Sequence, residues 1–197
     1  MRYGNLNKDM AAFFDKLAPE WDNAPAEYGT REKLTSMMGL SRGSVVADIG
    51  CGKGVMVEHL LKTNPIKIIA VDVSSEMIRS AKNLFDDRRV YFLNDDFFDA
   101  SFPMLDAALF FNSYPHFMDK AALIEKLANI IKKNGLLIIA HSLSRAEING
   151  VHTGESVSKL SVPLDSAETE ARKYERYFTP DTLVDNDEIY FVKMTRR

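Results

Sequence analysis

The chain alternates short apolar runs with segments whose apolar residues recur at helical spacing. Five apolar runs predict buried β-strands, at Ser44–Gly50, Lys67–Val73, Val90–Asn94, Ala107–Asn112 and Leu136–His141. The intervening segments predict helices at Val55–Lys62, Ser75–Phe85 and Lys120–Lys132, and Asn134–Gly135 is predicted to end the last helix with a left-handed cap. Because nearly continuous apolar strands alternate with helices, the pattern favours an α/β fold with a mostly parallel sheet covered on both faces.

The two ends of the chain depart from this alternation. Apolar residues between Met10 and Leu17 recur at helical spacing until Pro19, and those from Leu34 to Leu40 predict a second helix. Near the carboxyl end, a helix is predicted around Ser166–Phe178. Two short strand candidates then flank the turn-forming Asp185–Asn186–Asp187, which predicts a final hairpin.

Composition narrows the class of protein. With 197 residues, 46% of them hydrophobic, the chain is expected to form one domain over residues 1–197, with a helical cap over 1–40 and an α/β core over 44–197. A net charge of −3 gives no general electrostatic reason to bind nucleic acid. The single Cys51 cannot form an intramolecular disulfide, and neither a leader pattern nor a membrane-length apolar run is visible. We therefore expect a cytoplasmic protein that binds neither nucleic acid nor membrane.

The stretch VVADIGCGKG, Val45 to Gly54, predicts a strand that runs directly into a glycine-rich turn. A phosphate-binding P-loop is excluded, because the glycines do not have its four-residue spacing before Gly-Lys-Ser/Thr. The dinucleotide fingerprint is disfavoured, because its third glycine would fall at Val55 and here comes one residue earlier. A tight turn without a ligand remains open at this point.

Acidic residues follow the next two strands. Asp72 ends the second strand about twenty residues beyond the glycines, where a carboxylate can accept both ribose hydroxyls of an adenosine. The alternative is a helix cap, for which the following serines are better placed. Asp95 and Asp96 precede Phe97 and Phe98 after the third strand, a combination suited to an adenine amino group and ring. A solvated turn is the alternative there.

Together these segments resemble the class I S-adenosylmethionine-dependent methyltransferases. VADIGCGKG looks like the first motif of that family, AVDVSSEM the second, NDDFF the third, and FFNSYPHF occupies the place of the fourth. The amino-terminal FFDKLAPEWD is similar to the first helix of its small-molecule members. The resemblance implies a Rossmann-like sheet of seven strands whose last strand is antiparallel, and EIYFVKMT fits that strand.

The resemblance also implies S-adenosyl-L-methionine as the cofactor. Carried over by position, the glycine loop and Asp48 would face its methionine part and Asp72 its ribose, while Asp96 would hold the adenine and Asp95 is the less probable partner. The full set of cofactor-binding candidates is Asp48, Gly50, Cys51, Gly52, Gly54, Asp72, Val73, Met77, Asp95, Asp96, Phe97 and Asn112.

Candidates for the methyl acceptor come from later segments. His116 is the candidate general base, because a neutral imidazole can take a proton near physiological pH; a role in fixing its loop or binding substrate is the alternative. If Ser144–Thr153 is helical, one face carries Arg145 and other polar groups, and Arg145 could bind an anionic group, although a solvated face would look the same. The substrate-binding candidates are Trp21, Tyr114, His141, Arg145, Asn149 and His152. No short ligand spacing indicates a metal.

The expected function is methyl transfer from S-adenosylmethionine to a small-molecule acceptor, with the helix bearing Phe13 and Phe14, together with Trp21, closing over it. Two alternatives remain open, a macromolecule-directed methyltransferase and a non-catalytic protein that binds the cofactor. A homodimer is also left open.

Overall fold

A seven-stranded sheet organises the computed structural model, which describes residues 3–21, 27–151, 153 and 158–197. The strands are β1 (Val45–Ile49), β2 (Lys67–Asp72), β3 (Val90–Asn94), β4 (Leu105–Phe111), β5 (Ile131–His141), β6 (Phe178–Asp185) and β7 (Tyr190–Arg196). Their order is β3-β2-β1-β4-β5-β7-β6, and β7 pairs antiparallel with both β5 and β6 while the other pairs are parallel. The predicted Rossmann-like α/β fold with an antiparallel last strand is therefore confirmed.

Helices cover both faces of this sheet. They are α1 (Tyr3–Leu17), α2 (Tyr28–Met38), α3 (Val57–Lys62), α4 (Ser75–Leu84), α5 (Lys120–Ile130), α6 (Arg145–Val151) and α7 (Ala167–Arg172). Successive strand residues point to opposite faces, so Ala47 and Ile49 pack with α5, α6 and α7, while Val46 packs with α2 and α3. Among the described helices, none has both the length and the apolar content needed to cross a membrane.

The amino-terminal helix α1 is fixed to the carboxyl end of β2. The carboxylate of Asp15 accepts hydrogen bonds from Ser74 Oγ at 2.6 Å and from the Glu76 amide at 3.0 Å. Ser74 is also the cap of α4, since its Oγ accepts from the Met77 amide. These contacts place α1 over the edge of the sheet at which function is expected.

The prediction for Asn134–Gly135 is wrong in its role. Helix α5 already ends at Ile130, and Asn134 has the left-handed φ of +64° inside β5. The pairing of β4 with β5 jumps from Leu105–Ile131 to Ala107–Leu136, so residues 132–135 form a bulge opposite a single residue. The turn-forming pair serves this bulge because the chain enters the strand immediately after α5, with no intervening loop to cap.

The carboxyl-terminal helix is shorter than its pattern indicates. Helix α7 spans Ala167–Arg172 and is capped by Ser166, whose Oγ accepts from the Thr169 amide. The following residues leave the helix through turns, and Phe178 begins β6. The predicted hairpin around Asp185–Asn186–Asp187 is present as β6 and β7.

Candidate active site

A cavity of about 220 Å³ opens at the carboxyl ends of β1 to β4. Loops after these strands form its floor and sides, and α1, the following turn and α2 form its outer wall. The lining residues are Met10, Phe14, Trp21, Glu27, Arg31, Gly50, Cys51, Gly52, Lys53, Val55, Val71, Asp72, Val73, Met77, Asp95, Asp96, Phe97, Phe98, Phe111, Asn112, Ser113, His116 and Phe117. The structure thus brings the loops after four different strands to one cavity.

The glycine loop after β1 approaches the loop after β4 closely. Gly50 has a φ of +71°, and a Cβ added there would lie 2.6 Å from Ser113 Cβ. Ser113 is itself fixed, because its Oγ donates to the Ile49 carbonyl at 2.6 Å. A side chain at Gly50 would require a strained left-handed backbone and would clash with Ser113. Glycine is therefore needed at this position to form the cavity floor.

Asp72 connects the loops after β1 and β2. Its two carboxylate oxygens accept from the Gly52 amide at 2.8 Å and the Ser74 amide at 2.9 Å. Each oxygen has a second acceptor position, and the side chain lines the cavity. Burial raises the pKa of Asp72, while the two amide bonds oppose that shift by favouring the charged form. The residue is therefore placed to accept hydrogen bonds from vicinal hydroxyls.

Two of the cofactor-binding candidates lie behind the loop and do not line the cavity. Asp48 is buried, and desolvation together with the Asp72 charge raises its pKa to about 7. Its Oδ2 has no hydrogen-bond partner among the described residues. Gly54 faces away as well, since a Cβ there would lie 3.0 Å from the ring of Phe85. Both positions support the loop from beneath.

The loop after β3 combines carboxylates with aromatic rings. Asp96 accepts from the Phe98 amide at 2.8 Å, and Asp95 accepts from the Asp96 amide at 2.9 Å. Burial is the main cause that raises the pKa of Asp96. Phe97 is buried edge-on against Phe117, with ring centroids 5.8 Å apart. This end of the cavity offers the acceptor atoms and the apolar faces that a purine base requires.

His116 lies in an aromatic wall of the cavity. The His116 ring packs edge-on against Phe14 of α1, with ring centroids 5.1 Å apart, and Phe14 packs edge-on against Trp21 with centroids 6.1 Å apart. His116 Nδ1 lies 2.9 Å from the carbonyl oxygen of Leu160. Because a carbonyl can only accept, Nδ1 carries the proton in this pair, and a neutral ring then has its basic lone pair on Nε2.

Several substrate-binding candidates are placed elsewhere. Tyr114 and His141 are fully buried away from the cavity, and the His141 ring packs against Tyr190 at 5.9 Å. His152 lies outside the described residues. Of the six candidates, the structure brings Trp21 to the cavity wall.

The polar face of α6 makes bonds within the protein. Arg145 Nε donates to Asp185 at 2.8 Å, and the same Asp185 oxygen accepts from the Ala167 amide. The Asn149 side chain donates to the Leu164 carbonyl at 3.0 Å and accepts from its amide at 2.8 Å. These residues hold the connection between α6 and α7 and do not line the cavity.

Arg31 is a site residue that the sequence reasoning missed. It is 5% exposed, lines the cavity and has its Nη1 4.0 Å from Glu27 Oε2. Arg31 shares the buried face of α2 with Leu34 and Met38. That spacing was visible in the sequence, because a cation on the apolar stripe of a helix requires a reason for its burial. The other missed lining residues are Met10, Glu27, Val55, Val71, Phe111, Ser113 and Phe117.

Residues 46–135 match the family model described as a methyltransferase domain. The chain is 21% identical over 149 residues to the ubiquinone biosynthesis O-methyltransferase of Neisseria meningitidis, covering 69% of this chain and 63% of that protein. The chain therefore spans less than two thirds of the length of that curated relative.

Solved structures share the fold along nearly the whole chain. One is the chain solved in a complex with the Haloferax volcanii Trm112 methyltransferase activator, with a TM-score of 0.78, 18% identity, and coverage of 93% of this chain and 97% of that one. Another is DhpI, solved with SAH, with a TM-score of 0.73, 19% identity and coverage of 97% of each chain. The fold is therefore that of the class I methyltransferases, a family whose cofactor is S-adenosylmethionine. Within the described ranges, no three His, Cys, Asp or Glu side chains are grouped to hold a metal ion.

Proposed function

We propose that this chain is an S-adenosylmethionine-dependent methyltransferase that acts on a small molecule. The observation that carries the proposal is the convergence of the glycine loop, Asp72 and the Asp96–Phe97 pair on one cavity. Each feature alone has a structural alternative, such as a tight turn or a solvated loop. Their meeting in one cavity, within a methyltransferase domain, favours a shared ligand that has a sugar and a base.

The residues present fit this cofactor. Gly50 leaves the floor without a side chain, Asp72 suits the ribose hydroxyls, and Asp96 with Phe97 suits the adenine. Arg31 adds a buried cation in the same cavity, and a guanidinium is a strong partner for a carboxylate such as that of the methionine part. The set therefore contains a matching group for each end of the cofactor.

The chemistry requires mainly alignment and exclusion of water. S-adenosylmethionine, when bound, supplies a methyl group already activated by its positive sulfur, which keeps the bonding electron pair as the acceptor atom takes the methyl. The chain contributes an aromatic wall, formed by Phe14, Trp21 and His116. This wall would shield the methyl group from water. For an acceptor that must lose a proton, Nε2 of His116 is the base, and the proton then rests on the imidazolium.

We infer that the acceptor is an aromatic compound with a hydroxyl group. The wall of the cavity nearest His116 is aromatic, and edge-to-face contacts with Phe14 and Trp21 suit a planar ring. The likeness to a relative named as a ubiquinone biosynthesis O-methyltransferase supports this class. Arg145, proposed from sequence as an anion-binding residue, is paired with Asp185, which favours an acceptor that does not depend on that cation.

Calorimetric titration with S-adenosylhomocysteine tests the cofactor, with NAD as the parallel ligand. We expect micromolar binding that is lost in Asp72→Ala and retained in Asp86→Ala, an exposed carboxylate outside the cavity. Thermal unfolding of each variant shows whether the loss is local. Binding of NAD alone would overturn the proposal.

A series of phenols with decreasing pKa tests the acceptor class and the base together. His116→Gln should lower kcat by about 100-fold or more for weakly acidic phenols, the usual range for a lost general base. The loss should shrink for phenols that are already ionised at the working pH, because they need no base. Cofactor binding without turnover across the series would favour a non-catalytic binding protein.

A further inference from the structure

A buried polar cluster lies behind the wall that carries His116. It consists of Tyr114 from the turn after β4, Lys120 at the start of α5, and Glu170, Lys173 and Tyr174 from α7 and the residues after it. We call these five residues the Tyr114–Glu170 cluster. Tyr114 and Tyr174 are fully buried, Glu170 is 1% exposed, and none of the five lines the cavity. A carboxylate so deeply buried requires compensating partners.

Glu170 receives two of these partners directly, Tyr114 and Lys173. Tyr114 donates its hydroxyl to Glu170 Oε1, and Lys173 Nζ donates to Oε2 at 2.9 Å. Burial is the main cause that raises the pKa of both Tyr114 and Tyr174, so both hydroxyls keep their protons. Since the Tyr114 proton is used on Glu170, Tyr174 donates to Tyr114 across an O–O distance of 2.9 Å. The result is a directed chain from Tyr174 through Tyr114 to Glu170.

Tyr114 is also held at its other end. Lys120 Nζ donates to the Tyr114 carbonyl at 2.9 Å and lies 3.3 Å from the centroid of the Tyr114 ring. Burial lowers the pKa of Lys120 to about 7, and both of its protonation states can donate to a carbonyl. The hydroxyl, ring and carbonyl of Tyr114 are therefore each fixed, which leaves the turn little freedom.

The connection between α6 and α7 reaches the same turn from outside. The Val162 amide donates to the Pro115 carbonyl at 2.9 Å, and the Leu160 carbonyl accepts from His116 Nδ1. Lys173 links this connection to the cluster, because its Nζ also contacts Asp165 at 2.8 Å. The segment that carries Leu160 is therefore linked to Glu170 through Asp165 and Lys173. The turn that carries His116 is linked to Glu170 through Tyr114.

We propose that Glu170 is a positioning residue, whose buried carboxylate fixes the turn of residues 113–117 and through it the orientation of His116 toward the acceptor. The inference rests on the proposed function for its kinetic consequence, and on the contacts alone for its structural one. Removing one partner of a buried ionic pair usually destabilises a protein, but Lys173 keeps Asp165 as a second partner, and none of the five residues lines the cavity. Loss of the carboxylate should therefore act on catalysis while cofactor binding persists.

Glu170→Gln is the test variant, because it keeps the shape of the side chain and removes its charge. We expect kcat to fall about tenfold or more, while the Kd for S-adenosylhomocysteine changes less than twofold. The His116 ring signals in a histidine-selective NMR spectrum, assigned with His116→Gln, should shift or broaden. Glu168→Gln on the exposed face of the same helix is the matched control and should change none of these.

Tyr114→Phe provides a second, milder variant in case Glu170→Gln does not fold. It removes one bond to Glu170 and keeps the ring beneath Lys120, so it should reproduce the NMR change in smaller measure. The double variant should resemble Glu170→Gln, because both changes break the same chain. Unchanged His116 signals in a folded Glu170→Gln or Tyr114→Phe protein would overturn the inference. This readout needs no turnover, so it stands apart from the test of the proposed function.

Discussion

The part of the cavity proposed to bind the cofactor (the cofactor half) and the part proposed to bind the acceptor (the acceptor half) are built by different means. In the cofactor half, the ends of β1, β2 and β3 and the short loops after them supply Gly50, Asp72 and Asp96, and backbone amides of these loops donate to the carboxylates. In the acceptor half, His116 depends on Leu160, 44 positions away, and on Phe14 of α1. The position of the first half follows from the parallel strands that carry its loops, whereas the second depends on segments outside those strands.

The largest effect should come from filling the floor of the cofactor half. Gly50→Ala would place a methyl group 2.6 Å from Ser113 Cβ at a φ of +71°, so the loop must move. We expect the affinity for S-adenosylhomocysteine to fall more than about 100-fold, because the moved loop also carries Gly52 and its bond to Asp72. Calorimetry on the folded variant measures this.

Gly43→Ala is the matched control for Gly50→Ala. Gly43 also has a positive φ, of +80°, it does not line the cavity, and no described residue lies within 4 Å of an added Cβ. It should therefore show the cost of left-handed backbone alone, about 1–2 kcal/mol in the free energy of unfolding, without the steric clash. Equal loss of affinity in the two variants would show that the contact with Ser113 is not what shapes the floor.

This contrast explains what could be predicted from the sequence. Gly50, Asp72 and Asp96 were predicted to meet at one site because each lies at or just after the end of a strand, and parallel strands bring their carboxyl ends to one edge; all three line the cavity. Arg145 and Asn149 were expected at the acceptor because they share the polar face of a predicted helix. The sequence of that helix does not show what its polar face contacts. Their partners, Asp185 and Leu164, are 40 and 15 positions away, and a spacing rule within one helix contains no information about either.

Arg31 shows the converse limit. The periodicity of α2 would have identified it as a buried cation, but the cavity that it lines is formed by loops after four strands. Helical spacing gives the face of a residue and not what covers that face. Identifying Arg31 as a cavity residue therefore requires the positions of α2 and the glycine loop relative to each other.

A smaller effect is expected from removing this cation. Arg31→Met keeps much of the apolar stem and removes the charge, and we expect the affinity for S-adenosylhomocysteine to fall about tenfold or more, as for a lost charge-assisted bond. A cofactor analogue that lacks the carboxylate should bind both proteins equally. Lys33→Met, an exposed cation on the same helix, is the control.

The analogue decides between two roles for Arg31. If Arg31→Met weakened the analogue as much as the parent ligand, the guanidinium would be supporting α2 rather than binding the carboxylate. A thermal unfolding midpoint lowered in parallel would agree with that result. If Arg31→Met weakened only the binding of S-adenosylhomocysteine, Arg31 would belong to the cofactor half although it lies outside the loops at the strand ends.

The smallest effect on cofactor affinity is expected at Asp48, which lies beneath the glycine loop and not in the cavity wall. Asp48→Asn should change the affinity less than about threefold, whereas Asp72→Ala removes a lining carboxylate. The buried Asp48 has a pKa of about 7 against 3.8 for an ordinary aspartate. Between these values the folded state holds the proton and the unfolded state does not, so the free energy of unfolding falls as pH rises from about 4 to 7.

Chemical denaturation across this pH range measures the contribution of Asp48. A pKa difference of about three units corresponds to at most about 4 kcal/mol, and water that reaches the carboxylate would reduce it. The decline should be flatter in Asp48→Asn, since the amide does not titrate, and the difference between the two proteins removes the contributions of the other titrating groups. Parallel curves would mean that Asp48 does not hold a proton at neutral pH. In that case Oδ2, which has no hydrogen-bond partner among the described residues, would carry a charge beneath the glycine loop.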